Sequence, residues 1–237
     1  RQPDAPPQKH STKKNLSLIG LGYRHPFQVS FGAIAALRDC EVIYSNLSDP
    51  RVTDFLGLFP APFKVIVFRT LHQQAEDSAR TVMAGFRRYK KIALVTRGQP
   101  VVYGRLAYCL AERTRRGKIA CDVPASVSIF ETIPSLVGNL SDSALGLQVR
   151  DASCLGDISS AFPLVIYLPL SKQLDALLEI LFRIYPKKYA CYLLPGAGEN
   201  EFAAQPLSLD GLKRALKQSD PACTLFLHAR RKSAPHE

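Results

Sequence analysis

Short apolar runs alternate with longer amphipathic stretches along most of the chain. Leu16-Ser-Leu-Ile-Gly20 reads as a strand that ends in glycine, and a loop at 20–27 follows it. Val29, Ile34 and Leu37 then recur at roughly helical spacing, with Ser30 suited to cap that helix. Glu41-Val-Ile-Tyr44 reads as a second strand, and 49–59 as a short helical or irregular piece stopped by Pro60 and Pro62. Lys64-Val-Ile-Val-Phe68 predicts a third strand, and 73–89 a helix with Ala75, Ala79, Val82, Met83 and Phe86 on one face. Ile92-Ala-Leu-Val95 predicts the fourth strand, closed by Thr96-Arg-Gly-Gln-Pro100; a helix over 102–115 and a fifth strand over 118–123 complete this half. The strands are apolar throughout with little alternation. That pattern belongs to an α/β fold whose sheet is covered on both faces.

A stretch at 133–147, rich in Ser and Gly, breaks the pattern. Beyond it, strands are predicted at 145–149, 164–168, 189–194 and 223–229, and helices at 173–184 and 210–218. The expected organisation is therefore a disordered basic tail (1–15), an N-terminal α/β domain (16–135), a C-terminal α/β domain (136–229) and a second basic tail (230–237).

Composition narrows the possibilities. The chain has 237 residues, of which 46% are apolar, enough for a buried core. The longest apolar run, 163–170, is strand-sized and far below a membrane span, and no secretory segment follows the basic opening. The six cysteines form no CxxC pair, so no metal site is expected; free buried thiols in a reducing, cytoplasmic setting fit better. The formal charge is +11. Part of it lies in the tails, and the clusters at 87–91 and 113–118 fall at predicted helix C-termini, where cations suit the dipole. Neither nucleic acid nor a membrane is the expected partner on this reading.

Three small-residue loops follow strands. Gly20-Leu-Gly22 is too short for a dinucleotide fingerprint, since His25 stands where its third glycine belongs. Arg97-Gly98-Gln99-Pro100 needs Gly98 for its backbone, and Val123-Pro-Ala-Ser-Val-Ser128 is the third. Together they suggest one rim at the carboxyl ends of the strands, where open α/β sheets bind ligands. HExxH, GxSxG and P-loop motifs are missing, the histidines are scattered, and no acidic pair has a recognisable spacing. Methyl transfer from a sulfonium donor suits such a chain. The leaving group is already activated, and positioning carries much of the rate.

In order and spacing these loops resemble those of the tetrapyrrole (corrin/porphyrin) methylase family, over about residues 16–227. Leu18-Ile-Gly-Leu-Gly22 resembles its opening strand and glycine loop, and Ala36-Leu-Arg-Asp-Cys-Glu-Val-Ile-Tyr44 its next helix, turn and strand. Arg97-Gly-Gln-Pro-Val-Val-Tyr-Gly104 resembles its Gly-Gly-Asp-Pro-x-x-Phe-Gly loop, and residues 123–128 its Val-Pro-Gly-Val-Ser-Ser loop. Pro163-Leu-Val-Ile-Tyr-Leu168, and residues 190–198 with Pro206-Leu-Ser-Leu209, resemble the later segments. The resemblance implies two α/β domains with S-adenosylmethionine in the cleft between them, methyltransferase activity and a homodimer. It implies Gly20, Gly22, Gly98, Gln99, Val102, Val127, Ser128, Tyr167, Leu168, Gly196 and Ala197 as cofactor-binding residues. Tyr23, Arg97 and Tyr103 would be the catalytic set, with His25 and Arg69 also facing the acceptor.

The departures matter too. Gln99 replaces the family's aspartate, Arg97 its first glycine, Ala125 the glycine of its Pro-Gly turn, and Ser45 an aspartate after the second strand. The acceptor is left open between a tetrapyrrole, another small molecule and a peptide. A related branch methylates peptide backbone amides, and Arg80 matches an arginine there. A non-catalytic member that binds a ligand or partner is the other alternative.

Overall fold

The computed structural model describes residues 13–22, 28–45, 47, 49–65, 75–102, 104–137, 146–152, 156–169, 174–194, 204–216 and 222–229. The chain divides into two compact units between Val127 and Ser128. The first contains β1 (Asn15–Gly20), α1 (Phe31–Asp39), β2 (Val42–Ser45), α2 (Pro50–Gly57), β3 (Phe63–Val65), α3 (Ala75–Gly85), β4 (Lys91–Thr96), α4 (Arg105–Arg116) and β5 (Ala120–Asp122). Its five strands pair in the order β3-β2-β4-β1-β5, and every pairing is parallel.

The apolar strands are explained by cover on both faces. Leu16, Leu18, Val42, Tyr44, Ile92 and Leu94 share one core with Ala79 and Val82 of α3 and Leu106 and Leu110 of α4. Ile19, Leu21, Ile43, Ala93 and Val95 share the other with Ala33 and Leu37 of α1 and Val52 and Leu56 of α2. Ser30 caps α1 as its sequence suggests, its hydroxyl accepting from Ala33 N at 3.2 Å. Asp49 caps α2 in the same way, with Pro50 at the first helical position.

The second unit contains α5 (Ile129–Val137), β6 (Gln148–Asp151), β7 (Leu164–Pro169), α6 (Leu174–Ile184), β8 (Ala190–Leu194), β9 (Gln205–Ser208), α7 (Leu212–Leu216) and β10 (Ala222–Leu227). Its sheet has the order β6-β7-β10-β8-β9, with only β6 and β7 parallel. Leu164, Ile166, Leu193 and Leu225 of the sheet pack in one core with Leu177, Leu178 and Leu181 of α6 and Leu212 of α7.

Two elements differ from the sequence reading. The predicted break at 133 falls inside α5, which runs on through Pro134 to Val137. Ser128 and Glu131 form a reciprocal capping box that organises the first turn. The Ser128 N–H donates to the Glu131 carboxylate at 2.8 Å, the Ser128 hydroxyl donates to the same carboxylate, and the Phe130 N–H donates to that hydroxyl at 3.2 Å. β9 was not expected as a strand, because Pro206 lies within it. Its place at the sheet edge explains this, since an edge strand tolerates a missing donor.

The capping box makes a pH prediction. Burial raises the Glu131 carboxyl, but bonds from the Ser128 hydroxyl and from backbone N–H groups outweigh it and hold the group below the usual range. A carboxylate lowered in the folded state stabilises above its unfolded pKa, and that stability is lost as pH falls through the folded value. Melting temperatures measured from neutral to about pH 3 should therefore show wild type above Glu131→Gln at neutral pH. The gap should close below the ordinary carboxylate range; parallel curves would reject this role for Glu131.

Candidate functional site

The carboxyl ends of β1 and β4 lie side by side, with Gly20 opposite Thr96. Past them the two chains stay joined. Leu21 N donates to the Thr96 carbonyl at 3.0 Å, Gly98 N donates to the Gly22 carbonyl at 3.0 Å, and Gly22 and Gly98 form an isolated antiparallel bridge. Both glycines have positive φ, +72° at Gly22 and +62° at Gly98. An L side chain at either position would strain the backbone.

The third loop closes on the same point. The Ser126 hydroxyl donates to the Gln99 Oε1 at 2.8 Å and also lies 3.4 Å from the Gly98 carbonyl. A Cβ at Gly20 would overlap both the Gly98 carbonyl and the Ser126 hydroxyl and stand 2.9 Å from Pro100 Cδ. The three strand-end loops thus converge around Gly20, and its missing side chain permits the approach. Every group in this convergence belongs to the first unit.

The candidate residues fall into distinct places. Gly20, Gly22, Gly98 and Gln99 form the convergence itself. Arg97 is half-buried in the bend just after β4, and Val102 is half-buried in the turn that follows, its N–H donating to the Gln99 carbonyl at 3.0 Å. Val127 is half-buried at the end of the first unit. Ser128 is buried, and its hydroxyl is committed to the α5 cap. Tyr167 lies on β7, edge-on to Phe130 with ring centres 6.3 Å apart. Leu168 pairs with Cys223 in the sheet. Tyr23, His25, Arg69, Tyr103, Gly196 and Ala197 lie outside the described residues, as do most of both tails.

The structure also accounts for the departures from the family pattern. Lys118 is the only non-glycine residue with positive φ among the described residues, so Ala125 needs no glycine-like backbone. Ser45 is fully buried at the end of β2, and its hydroxyl accepts from Leu47 N at 3.1 Å, closing a turn that an aspartate side chain closes in the same way. Gln99 carries no charge, yet its amide oxygen holds Ser126. Arg80 is exposed on α3 in an ion pair with Asp77.

Two residues of this region were not singled out from sequence. Ser126 lay inside a suspected loop, but its bond to Gln99 crosses 27 residues and has no local signature. Thr96 has a buried hydroxyl oxygen with no hydrogen-bond partner. An unpartnered buried hydroxyl costs about 1–3 kcal/mol, so one at the rim of three converging loops suits a group that receives a ligand. Five described cysteines are free, and four of these are buried. Burial pushes Cys40 up to about 11 and Cys191 up to about 12, which keeps both as unreactive thiols. Among the described residues, no helix is long and apolar enough to cross a membrane.

Comparison with known proteins follows the same outline. The profile of the Tetrapyrrole (Corrin/Porphyrin) Methylases matches residues 15–201. No curated protein sequence matches the chain. Among solved structures, a uroporphyrin-III C-methyltransferase from Thermus thermophilus is similar at 20% identity and a TM-score of 0.70, covering 93% of this chain and 98% of that one. A cobalamin-biosynthetic cobalt precorrin-4 methyltransferase is similar at 14% identity and a TM-score of 0.68, covering 90% and 94%. The Thermus thermophilus uroporphyrin-III enzyme complexed with S-adenosylhomocysteine gives 18% identity and a TM-score of 0.66, covering 90% and 97%.

Proposed function

Because the chain belongs to the tetrapyrrole (corrin/porphyrin) methylase family and is thus an S-adenosylmethionine-dependent methyltransferase, we propose that it methylates a small molecule of the tetrapyrrole class. The observation that carries this reading is the convergence of residues 20–22, 97–100 and 126 around Gly20. The residues present fit the cofactor. The loops meet where only a glycine fits, and the Thr96 hydroxyl has no internal partner. When bound, the cofactor supplies a methyl group on a positively charged sulfur, which is already an activated leaving group.

The chain's own part is then to bind and orient. Gly98, Gln99 and Val102 offer main-chain groups and an apolar surface for the donor. Carbonyl oxygens near the methyl group suit its positive charge better than a cation, so Arg97 is assigned to a carboxylate of the acceptor. Tyr23 and Tyr103 are assigned to orient that acceptor. Val127, Tyr167, Leu168, Gly196 and Ala197 are assigned to the cofactor as the family resemblance implies, whereas Ser128 contributes its main chain because its hydroxyl caps α5. Nothing specific favours a peptide acceptor. The solved relatives are uroporphyrin-III and precorrin methyltransferases, and Arg80 is occupied with Asp77. We assign the working form to a cytoplasmic homodimer; the buried free thiols suit a reducing compartment, and Phe31 stands 92% exposed as an apolar contact for a second copy. Light scattering of the purified chain tests that assembly.

The activity is tested by incubating the chain with methyl-labelled S-adenosylmethionine and uroporphyrinogen III or reduced precorrin-type tetrapyrroles. Label in the tetrapyrrole supports the proposal. Calorimetric binding of S-adenosylhomocysteine without transfer to any tetrapyrrole would overturn the acceptor class. Binding of neither donor nor product at millimolar concentration would favour the non-catalytic alternative. Thr96→Val gives a finer test. It should leave the melting temperature unchanged or slightly raised, since it removes an unpartnered hydroxyl. Affinity for S-adenosylhomocysteine should fall about tenfold, the equivalent of one lost hydrogen bond of roughly 1.4 kcal/mol. An unchanged affinity would remove Thr96 from the site.

A further inference from the structure

We infer that the amino edge of the first sheet, opposite the loop convergence, is a docking surface for the phosphate backbone of a nucleic acid. In the sequence, the cations at 87–91 and at 113–118 stand apart, and each group alone is an ordinary helix end. The parallel topology unites them. When a helix links two parallel strands, it ends at the edge from which the next strand starts. The end of α3 therefore leads into β4 and the end of α4 into β5. Asn15 N donates to the Lys90 carbonyl at 2.8 Å, and Ala120 N donates to the Lys14 carbonyl at 3.1 Å. Lys90, Lys14 and Lys118 thus stand at the starts of three neighbouring strands, β4, β1 and β5, across about 10 Å. Arg87 and Arg88 flank them after α3, and Arg113, Arg115 and Arg116 flank them in the last turn of α4.

Internal pairing leaves much of this charge over. Asp39 holds Lys91 at 2.6 Å, Glu76 holds Arg113 at 2.6 Å, and Glu112 holds Arg115 and Arg116 at 2.9 and 3.2 Å. Glu41 turns its carboxylate to the main-chain N–H groups of Lys90 and Lys91. Lys14, Arg87, Arg88, Lys90 and Lys118 are exposed and have no carboxylate partner among the described residues. Helix dipoles explain cations at helix ends. They do not explain Lys14 at the start of a strand, nor Lys118 at φ 52°, a conformation that glycine or asparagine enters more cheaply.

The class of partner follows from what the edge lacks. Among the described residues, no exposed large apolar side chain stands at the starts of β4, β1 or β5; Leu58 precedes β3, two strands from β4. A protein interface is centred on buried apolar or aromatic anchors, and stable membrane attachment needs an apolar insertion. Attraction to a phosphate backbone needs neither, being almost wholly electrostatic.

The test is fluorescence anisotropy of the whole chain with labelled single-stranded and duplex DNA of about 20 nucleotides, at several salt concentrations. Binding should weaken linearly in log–log form as salt rises. Arg87→Gln/Arg88→Gln/Lys90→Gln should lower affinity at least tenfold at about 0.1 M salt and reduce the slope by about 2–3. Lys14→Gln/Lys118→Gln should act in the same direction. Lys187→Gln/Lys188→Gln/Arg214→Gln removes equal charge from the second unit and should leave affinity within about twofold. Melting curves confirm that each variant folds. Equal losses from both triple variants would reduce the effect to net charge and overturn the proposal. So would tighter binding to polyglutamate or to phosphatidylserine vesicles, or no binding to DNA at the lowest salt.

Discussion

Gly20→Ala should abolish calorimetric binding of S-adenosylhomocysteine and lower the melting temperature by several degrees. The added methyl group would overlap the Gly98 carbonyl and the Ser126 hydroxyl, and Pro100 Cδ would be 2.9 Å away. A hydroxyl can rotate aside, but the carbonyl belongs to a main chain pinned by the Gly98–Gly22 bond and by the Gln99 carbonyl's bond from Val102. Relief requires the 97–100 loop to move as a unit. Overpacking of this kind costs about 1–3 kcal/mol, occasionally more. The loss of binding should exceed the loss of stability, because displacement of the loop separates all three proposed cofactor segments. Gly57→Ala is a suitable control, since a Cβ at Gly57 meets nothing within 4 Å. It should leave binding intact. If Gly20→Ala binds S-adenosylhomocysteine normally in a folded protein, the loop convergence is not the cofactor site.

Leu181→Ala should be the most destabilising of the conservative truncations in the second unit, by about 2–5 kcal/mol. Leu181 is fully buried on α6, within the core that joins α6 and α7 to β7, β8 and β10. The substitution removes three heavy atoms and leaves a cavity whose walls are strands fixed by their ladders, so little collapse can fill it. Leu181→Met keeps most of the volume and should cost less than about 1.5 kcal/mol. Glu179→Ala, on the exposed side of the same helix and in an ion pair with Arg183, should stay within about 0.5 kcal/mol of wild type. Chemical denaturation of the three variants measures the order. A Leu181→Ala value near that of Glu179→Ala would mean that α6 does not form the core described.

The proportions of these effects reflect how the protein divides its work. Stability comes from apolar faces on regular elements, where single residues act through volume. The proposed function depends on main-chain approach in three loops, where the crucial feature at Gly20 is the absence of a side chain. The hydroxyls of Thr96 and Ser126 and the amide of Gln99 supply polarity there without a charged group in the convergence. That arrangement suits a donor whose sulfur is itself positive and a reaction that needs orientation more than proton transfer. It also explains why the replacement of aspartate by Gln99 is compatible with an ordered loop, since the amide oxygen still accepts a bond from Ser126.

Local chemistry made much of the fold legible. The unbroken apolar runs of β1, β2 and β4 announced a sheet covered on both faces, and both cores are present. Ser30 announced its own helix, and the loops at 20–22, 97–100 and 123–128 stood out by composition and by resemblance to the tetrapyrrole methylases. α5 was partly hidden because Pro134 and the Ser- and Gly-rich residues after it outweighed the Ser128–Glu131 capping box. β9 was hidden because Pro206 argues against a strand unless its edge position is known. By itself, then, the sequence determined the class of fold, the family, the need for glycine at the turns and the residues that could enter a site, since these depend on side-chain period, backbone freedom and local capping. The tertiary structure decided that three distant loops meet at Gly20, that Ser128 serves a helix cap while Ser126 reaches Gln99, and that two separate basic clusters share one sheet edge. Those outcomes depend on strand order and register, which join residues far apart in the chain.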